Sequence, residues 1–164
     1  MNALGSVTRA LEGRRQELTD LLKTRLHSST ALHYRDADSA LLEERCSRVV
    51  LAFLNSLRDE PTRLAQYLRI IAVDRFEEGV GLQELQLVLH ILESHSWKIC
   101  AEAIEDRDEV IKALGRISGV IGHGKDALAQ VYLDSAMDSR RELRVTRLRL
   151  EELVRGTEVG SITE

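Results

Sequence analysis

The sequence predicts an all-α fold, a single helical bundle of about six helices with a long C-terminal helix, and three observations carry the prediction. One proline in 164 residues leaves long stretches free of helix breakers. Leucine and other aliphatic residues recur every three to four positions almost from the start. Aromatics make up only 4% of a chain that is 43% hydrophobic, so the core must be aliphatic. A β-sandwich or barrel would need far more turn-forming residues. Charged residues reach 30%, and with this much apolar sequence the chain is not intrinsically disordered. The length suits one domain, expected over residues 1–155 with a flexible polar tail at 156–164.

The elements follow from periodicity and punctuation. Leu4, Val7, Leu11, Leu18, Leu22 and Leu26 line one face of a first helix, about 4–27. Ser28 to Asp38 breaks the pattern and reads as a loop. A second helix, capped by Asp38 or Ser39, carries Leu42, Val49, Val50, Phe53 and Leu57 inward. Arg58-Asp59-Glu60-Pro61 stops it, and Pro61 is placed at the first position of a third helix bearing Leu64, Tyr67, Leu68, Ile71 and Phe76. Gly79-Val80-Gly81 ends that helix, with one glycine expected in the left-handed capping conformation.

The fourth helix, Leu82 to about Ala103, has an apolar stripe wide enough to contact neighbours on more than one side. A fifth, about 108–121, is expected to end at Gly119, Gly122 and Gly124. The last runs from about Lys125 to Arg155, core-like through Leu128, Val131, Tyr132, Leu133, Ala136 and Met137, then arginine-rich.

Several function classes fall away. A net charge of -4 gives no global pull toward nucleic acid or anionic membrane. No apolar run approaches the roughly 20 residues that span a bilayer. The Met1 end lacks a secretory signal pattern, so a soluble, cytoplasmic protein is expected. Cys46 and Cys100 form no metal-binding spacing and read as buried thiols. No phosphate-loop, dinucleotide, zinc-protease or nucleophile-elbow motif occurs. Glu43-Glu44, Glu77-Glu78 and Glu151-Glu152 are adjacent pairs that diverge on a helix and so form no acid–base dyad. An enzyme is not expected, nor any metal or cofactor.

His90 and His95 bear on one alternative, since an all-helical chain of this size could hold haem as a gas sensor. Projection puts His90 on the polar side of the fourth helix with Ser94 and Trp97, and His95 beside Val88 and Ile91 at the flank of the apolar stripe. Six aromatics leave little to pack a macrocycle, which disfavours haem. The His90–Trp97 face instead suggests a homodimer interface or a docking face for a partner.

Arg140, Arg141, Arg144, Arg147 and Arg149 face only Glu142 within ten residues. Nucleic-acid binding through Arg140–Arg149 is a second alternative. Leu143, Val145, Leu148 and Leu150 interleave at helical spacing, and Glu151-Glu152 follow at once, which suits helix pairing better. Leu143 and Leu150 would lie in the seam, which is imperfect because Arg147 sits where a further apolar residue is expected, and Arg144 would lie beside it.

The stretch Arg75-Phe76-Glu77-Glu78-Gly79-Val80-Gly81-Leu82-Gln83-Glu84-Leu85, followed by a leucine-rich helix, resembles a known family. It is similar to the Arg-x-x-x-Gly-aromatic-small-Leu-x-Glu segment in the N-terminal domain of RsbR/RsbRD-type stressosome co-antagonists. Similar helical domains precede some bacterial sensor kinases and PucR-like regulators. The resemblance covers most of residues 5–155 and makes Arg75, Gly79, Gly81 and Glu84 a structural turn. The chain departs from the family pattern at Val80, where an aromatic is usual, and at Gly81, where Ser or Thr is commoner.

The resemblance implies a globin-like, non-haem bacterial signalling domain without enzymatic activity. It would dimerise and relay a signal through its C-terminal helix to a regulatory partner or a downstream output domain. The signal would be a small apolar ligand in the helical core or a partner protein.

Overall fold

The computed structural model describes residues 3–58 and 60–159, with side chains over 5–58 and 60–155. These form seven helices and no strand: α1 Ala3–Glu12, α2 Arg15–His27, α3 Leu32–Arg35, α4 Ser39–Arg58, α5 Arg63–Glu77, α6 Leu82–Ala103 and α7 Arg107–Val159. The all-α bundle with a long closing helix is therefore observed. Residues 160–164 of the expected tail lie outside the described residues.

One aliphatic core runs through every helix, from Val7 and Leu11 on α1 to Leu128 and Tyr132 on α7. Antiparallel α6 and α7 are joined by residues 104–106, and α5 lies along α7 in the same direction. Pairing of Leu64 and Leu68 with Gly124, and of Phe76 with Tyr132, sets that alignment. On α6, Leu85, Val88, Leu89, Ile91, Leu92, Ile99 and Cys100 are buried, the broad stripe the sequence predicts for a central helix.

Four expected boundaries are corrected. The single first helix breaks at Gly13-Arg14, where Arg14 N–H turns back to Leu11 O at 3.1 Å. Glycine is a poor helix continuer, and Arg14 is drawn to Glu17 and Glu102. The expected loop at 28–38 contains the short α3, which buries Tyr34. Pro61 precedes α5 rather than opening it, because the buried Ser56 hydroxyl, projecting from α4, accepts the Leu64 N–H at 2.7 Å and places the helix start at Arg63.

The largest correction concerns the glycines of the expected fifth helix end. Gly115, Gly119, Gly122 and Gly124 all lie inside one continuous α7 of 53 residues, about 80 Å long. Buried Ala113, Ile117, Val120, Ile121, Ala127 and Leu128 on both sides of these glycines hold the helix together by packing. At Gly124 a Cβ would come within 2.9 Å of Leu68 Cδ1 and 3.4 Å of Leu64 Cδ2, so this glycine is what lets α5 approach. Leu133 and Met137, expected in the core, are exposed, Leu133 next to the buried Tyr132 and so on the outward side of α7.

Candidate functional site

The α5–α6 turn is built by two complementary caps. Gly79 has φ +80°, and Val80 N–H reaches Arg75 O at 2.9 Å while Gly79 N–H reaches Phe76 O at 3.0 Å. This is a Schellman cap with buried Val80 as its apolar anchor. Gly81 then caps α6, and the Glu84 carboxylate accepts its N–H at 3.1 Å. The same carboxylate accepts the His33 N–H at 3.2 Å and lies 2.7 Å from His33 Nδ1, tying α3 to the turn. Burial opposes ionisation of Glu84, but the hydrogen bonds from Gly81 and His33 outweigh it and hold its pKa below the usual carboxylate value. Arg75 O, Gly79, Gly81 and Glu84 thus all take part in the hydrogen bonds of this turn. From α7, Tyr132 donates to Val80 O at 2.7 Å and meets the Phe76 ring edge-on at 5.4 Å.

Beneath this turn lies a cavity of about 30 Å³ between α2, α3, α4, α5 and α6. Its walls include Leu42, Val49, Ile71, Leu85 and Val88, together with Tyr34, Tyr67, Arg45 and Arg75. The guanidinium side chains are mostly sequestered, at 24% exposure for Arg45 and 15% for Arg75. Both meet one oxygen of Glu78: Arg75 Nη1 hydrogen-bonds to it, and Arg45 Nη2 stands 3.6 Å away. Arg45 Nε is buried with no hydrogen-bond partner.

Burial pushes the Tyr34 phenol up, against the pull of Arg75 and Arg45, and raises Tyr67 in the same way. It also pushes the Cys46 thiol, on the same wall, up to about 12. The cavity therefore presents cations and neutral donors, with its thiol and phenols held protonated. Sequence reasoning missed this arrangement. Arg45 and Arg75 come from different helices, and no spacing signal links them.

The other expected site residues lie elsewhere. His90 and Trp97 are both exposed on α6, with Trp97 at 40%. His95 is half-buried, its Nε2 3.4 Å from Glu17 Oε1 without hydrogen-bond geometry. Neither histidine lines the cavity. On α7, Leu143, Leu150 and Leu153 are 70%, 58% and 67% exposed, and Arg144 and Arg147 are exposed with them. Arg147 Nε donates to Glu151 at 2.8 Å. Among the described residues, no cluster of His, Cys, Asp and Glu is placed to hold a metal ion, and no helix is long and apolar enough to cross a membrane.

The family model of the RsbT co-antagonist protein rsbRD N-terminal domain matches residues 7–150, from α1 through the first part of the projecting segment of α7. The chain belongs to this family. As an RsbRD N-terminal domain it is a stressosome-related, regulatory signalling domain. No curated protein and no solved structure matches it. The family's match spans the glycine turn, the residues that line the cavity and the start of the projecting helix.

Proposed function

We propose that this chain is a non-enzymatic bacterial regulatory domain of the cytoplasm, a single domain over 1–155, that dimerises and relays a signal along α7. The relay would end at a regulatory partner protein or a downstream output domain. The observation that carries the reading is the exposed face of α7 beyond Ser139. Leu143, Thr146, Leu150 and Leu153 repeat at alternating spacings of three and four, the seam of a two-stranded coiled coil. Leu143 and Leu150 fall seven apart at equivalent positions. Glu142 and Arg147 flank that seam five residues apart, the separation at which opposite charges meet across a parallel pair. Arg144 lies outside the seam, on the solvent side of such a pair.

Because α7 is continuous from Arg107 to Val159, a shift of its packed half against α5 and α6 moves the projecting half as one rod. The His90–Trp97 face of α6 offers a second contact surface for a partner. Scattering-derived mass in solution tests the reading. The wild-type chain is expected at twice its chain mass, and Leu143→Asp with Leu150→Asp at the monomer mass with helicity retained. A monomeric wild type would overturn dimerisation, and a Trp97→Glu variant that keeps every partner contact would remove the α6 face from the scheme.

A further inference from the structure

We propose that the outward face of α7 between Leu133 and Leu148 docks an acidic amphipathic helix of the regulatory partner. The inference deepens the relay reading above and rests on it, since it names the chemistry of the partner that α7 reaches. At about 100° per residue, Leu133, Met137, Arg141, Arg144 and Leu148 fall within one stripe about 80° wide and about 22 Å long. Leu133, Met137 and Leu148 are each more than half exposed, and exposed Val145 lies at the edge of the stripe. Leu143, Leu150 and Leu153 lie about 120–160° round the helix from its middle, so this is a second apolar face. A two-stranded coiled coil uses one such face and keeps the opposite side polar. Pairing through Leu143 and Leu150 therefore leaves the second stripe in water, as a contact surface for another chain.

Charge selects the occupant. Arg141 stands 3.7 Å from Asp138, and Arg147 is held by Glu151 on another side of the helix. Among the described residues, Arg144 within the stripe and Arg140 beside it form no ion pair. Apolar side chains interleaved with unpaired guanidiniums suit a helix that brings leucine-like residues to Met137 and Leu148 and carboxylates to the arginines. A second copy offering the same face would set Arg141 and Arg144 against their own kind, and like charges placed together disfavour that pairing. Nucleic acid fits less well, because Asp134 and Glu151 lie beside the stripe towards its two ends and would repel phosphates. Its aliphatic side chains would also stay uncovered against a sugar–phosphate backbone.

Fluorescence anisotropy with two labelled helical peptides of about four turns tests the proposal. Both carry leucines at the spacing of the α7 stripe, one with glutamates and the other with lysines at the flanking positions. The glutamate peptide is expected to bind the full chain saturably, and the lysine peptide not to bind. Affinity should fall at least tenfold in Arg141→Glu with Arg144→Glu, and that variant should now take the lysine peptide. It should fall as far in Met137→Ser with Leu148→Ser, whose mass in solution stays that of wild type. Arg69→Glu, an exposed cation on α5, should leave binding unchanged. No binding of the glutamate peptide, equal binding of the lysine peptide, undiminished affinity in the charge-reversed variant, or tighter binding of a duplex DNA oligonucleotide would each overturn the site. The Leu143→Asp, Leu150→Asp chain should keep the wild-type affinity. A monomeric wild type that still binds the glutamate peptide would overturn dimerisation alone, so the two readings fail separately.

Discussion

His33 Nδ1 and Glu84 Oε2 stand 2.7 Å apart, joining α3 to the first turn of α6 across 51 positions of sequence. Glu84 also accepts the N–H groups of His33 and Gly81, so one carboxylate holds three donors that otherwise lack partners there.

Glu84→Ala should therefore cost about 1.5–3 kcal/mol of stability, the range for hydrogen bonds to a charged group. The pH dependence has a definite sign. The carboxyl titrates below its ordinary 4.5 when folded, so the unfolded chain takes up this proton first as pH falls. The stabilisation is complete above 4.5 and is lost as pH drops through the folded value. Urea unfolding of wild type and Glu84→Ala should show a constant gap near neutrality that narrows below pH 4.5. A gap that widened in acid would contradict the assignment.

Tyr132→Phe should be destabilising by about 1–2 kcal/mol, because the buried Val80 carbonyl loses its 2.7 Å donor. The edge-on contact with Phe76 does not need the hydroxyl and should survive. Equilibrium unfolding measures the cost, and an unchanged midpoint would mean that Val80 O finds another donor.

The glycines of α7 should divide by environment. A Cβ at Gly115 or Gly119 meets nothing within 4 Å, so alanine there should stabilise by about 0.5–1 kcal/mol through helix propensity. At Gly124 the same atom is pressed against Leu68 and Leu64, both buried. Gly124→Val should cost about 1–3 kcal/mol by overpacking. Thermal unfolding of the three variants checks the order, and a stabilising Gly124→Val would refute the close approach of α5.

How much of this was legible follows from where each signal resides. The α6 boundaries were, because a glycine turn and a broad leucine stripe are both local. That one glycine of the turn would be the left-handed cap was legible for the same reason, and φ +80° assigns that role to Gly79 rather than Gly81. The unity of α7 was not, because glycine propensity argues for a break and only tertiary burial of Ile117, Ile121 and Leu128 overrides it. The start of α5 depends on Ser56, a hydroxyl eight residues upstream whose capping role needs the folded α4–α5 corner. The cavity was invisible for a further reason: Arg45 and Arg75 each read as an ordinary helix-surface arginine until α4 and α5 are packed together.

Cys46 and Cys100 give the last prediction, on the alkaline side. Burial pushes their thiols up to about 12 and about 11, from an ordinary 9.0. Thiolate is the reactive form, so neither should react with a disulfide reagent near neutrality except through opening of the fold. Modification should then follow the unfolding equilibrium, and in urea both thiols should react together. As pH rises through 9.0 the unfolded thiols release protons that the folded ones keep. The stability they contribute is complete below 9.0 and is lost progressively toward the folded values. Replacing both with alanine should flatten the fall in stability between pH 9.0 and about 11. Rapid modification of the native chain at neutral pH, or an alkaline slope unchanged in the double variant, would contradict the burial of these thiols in the core.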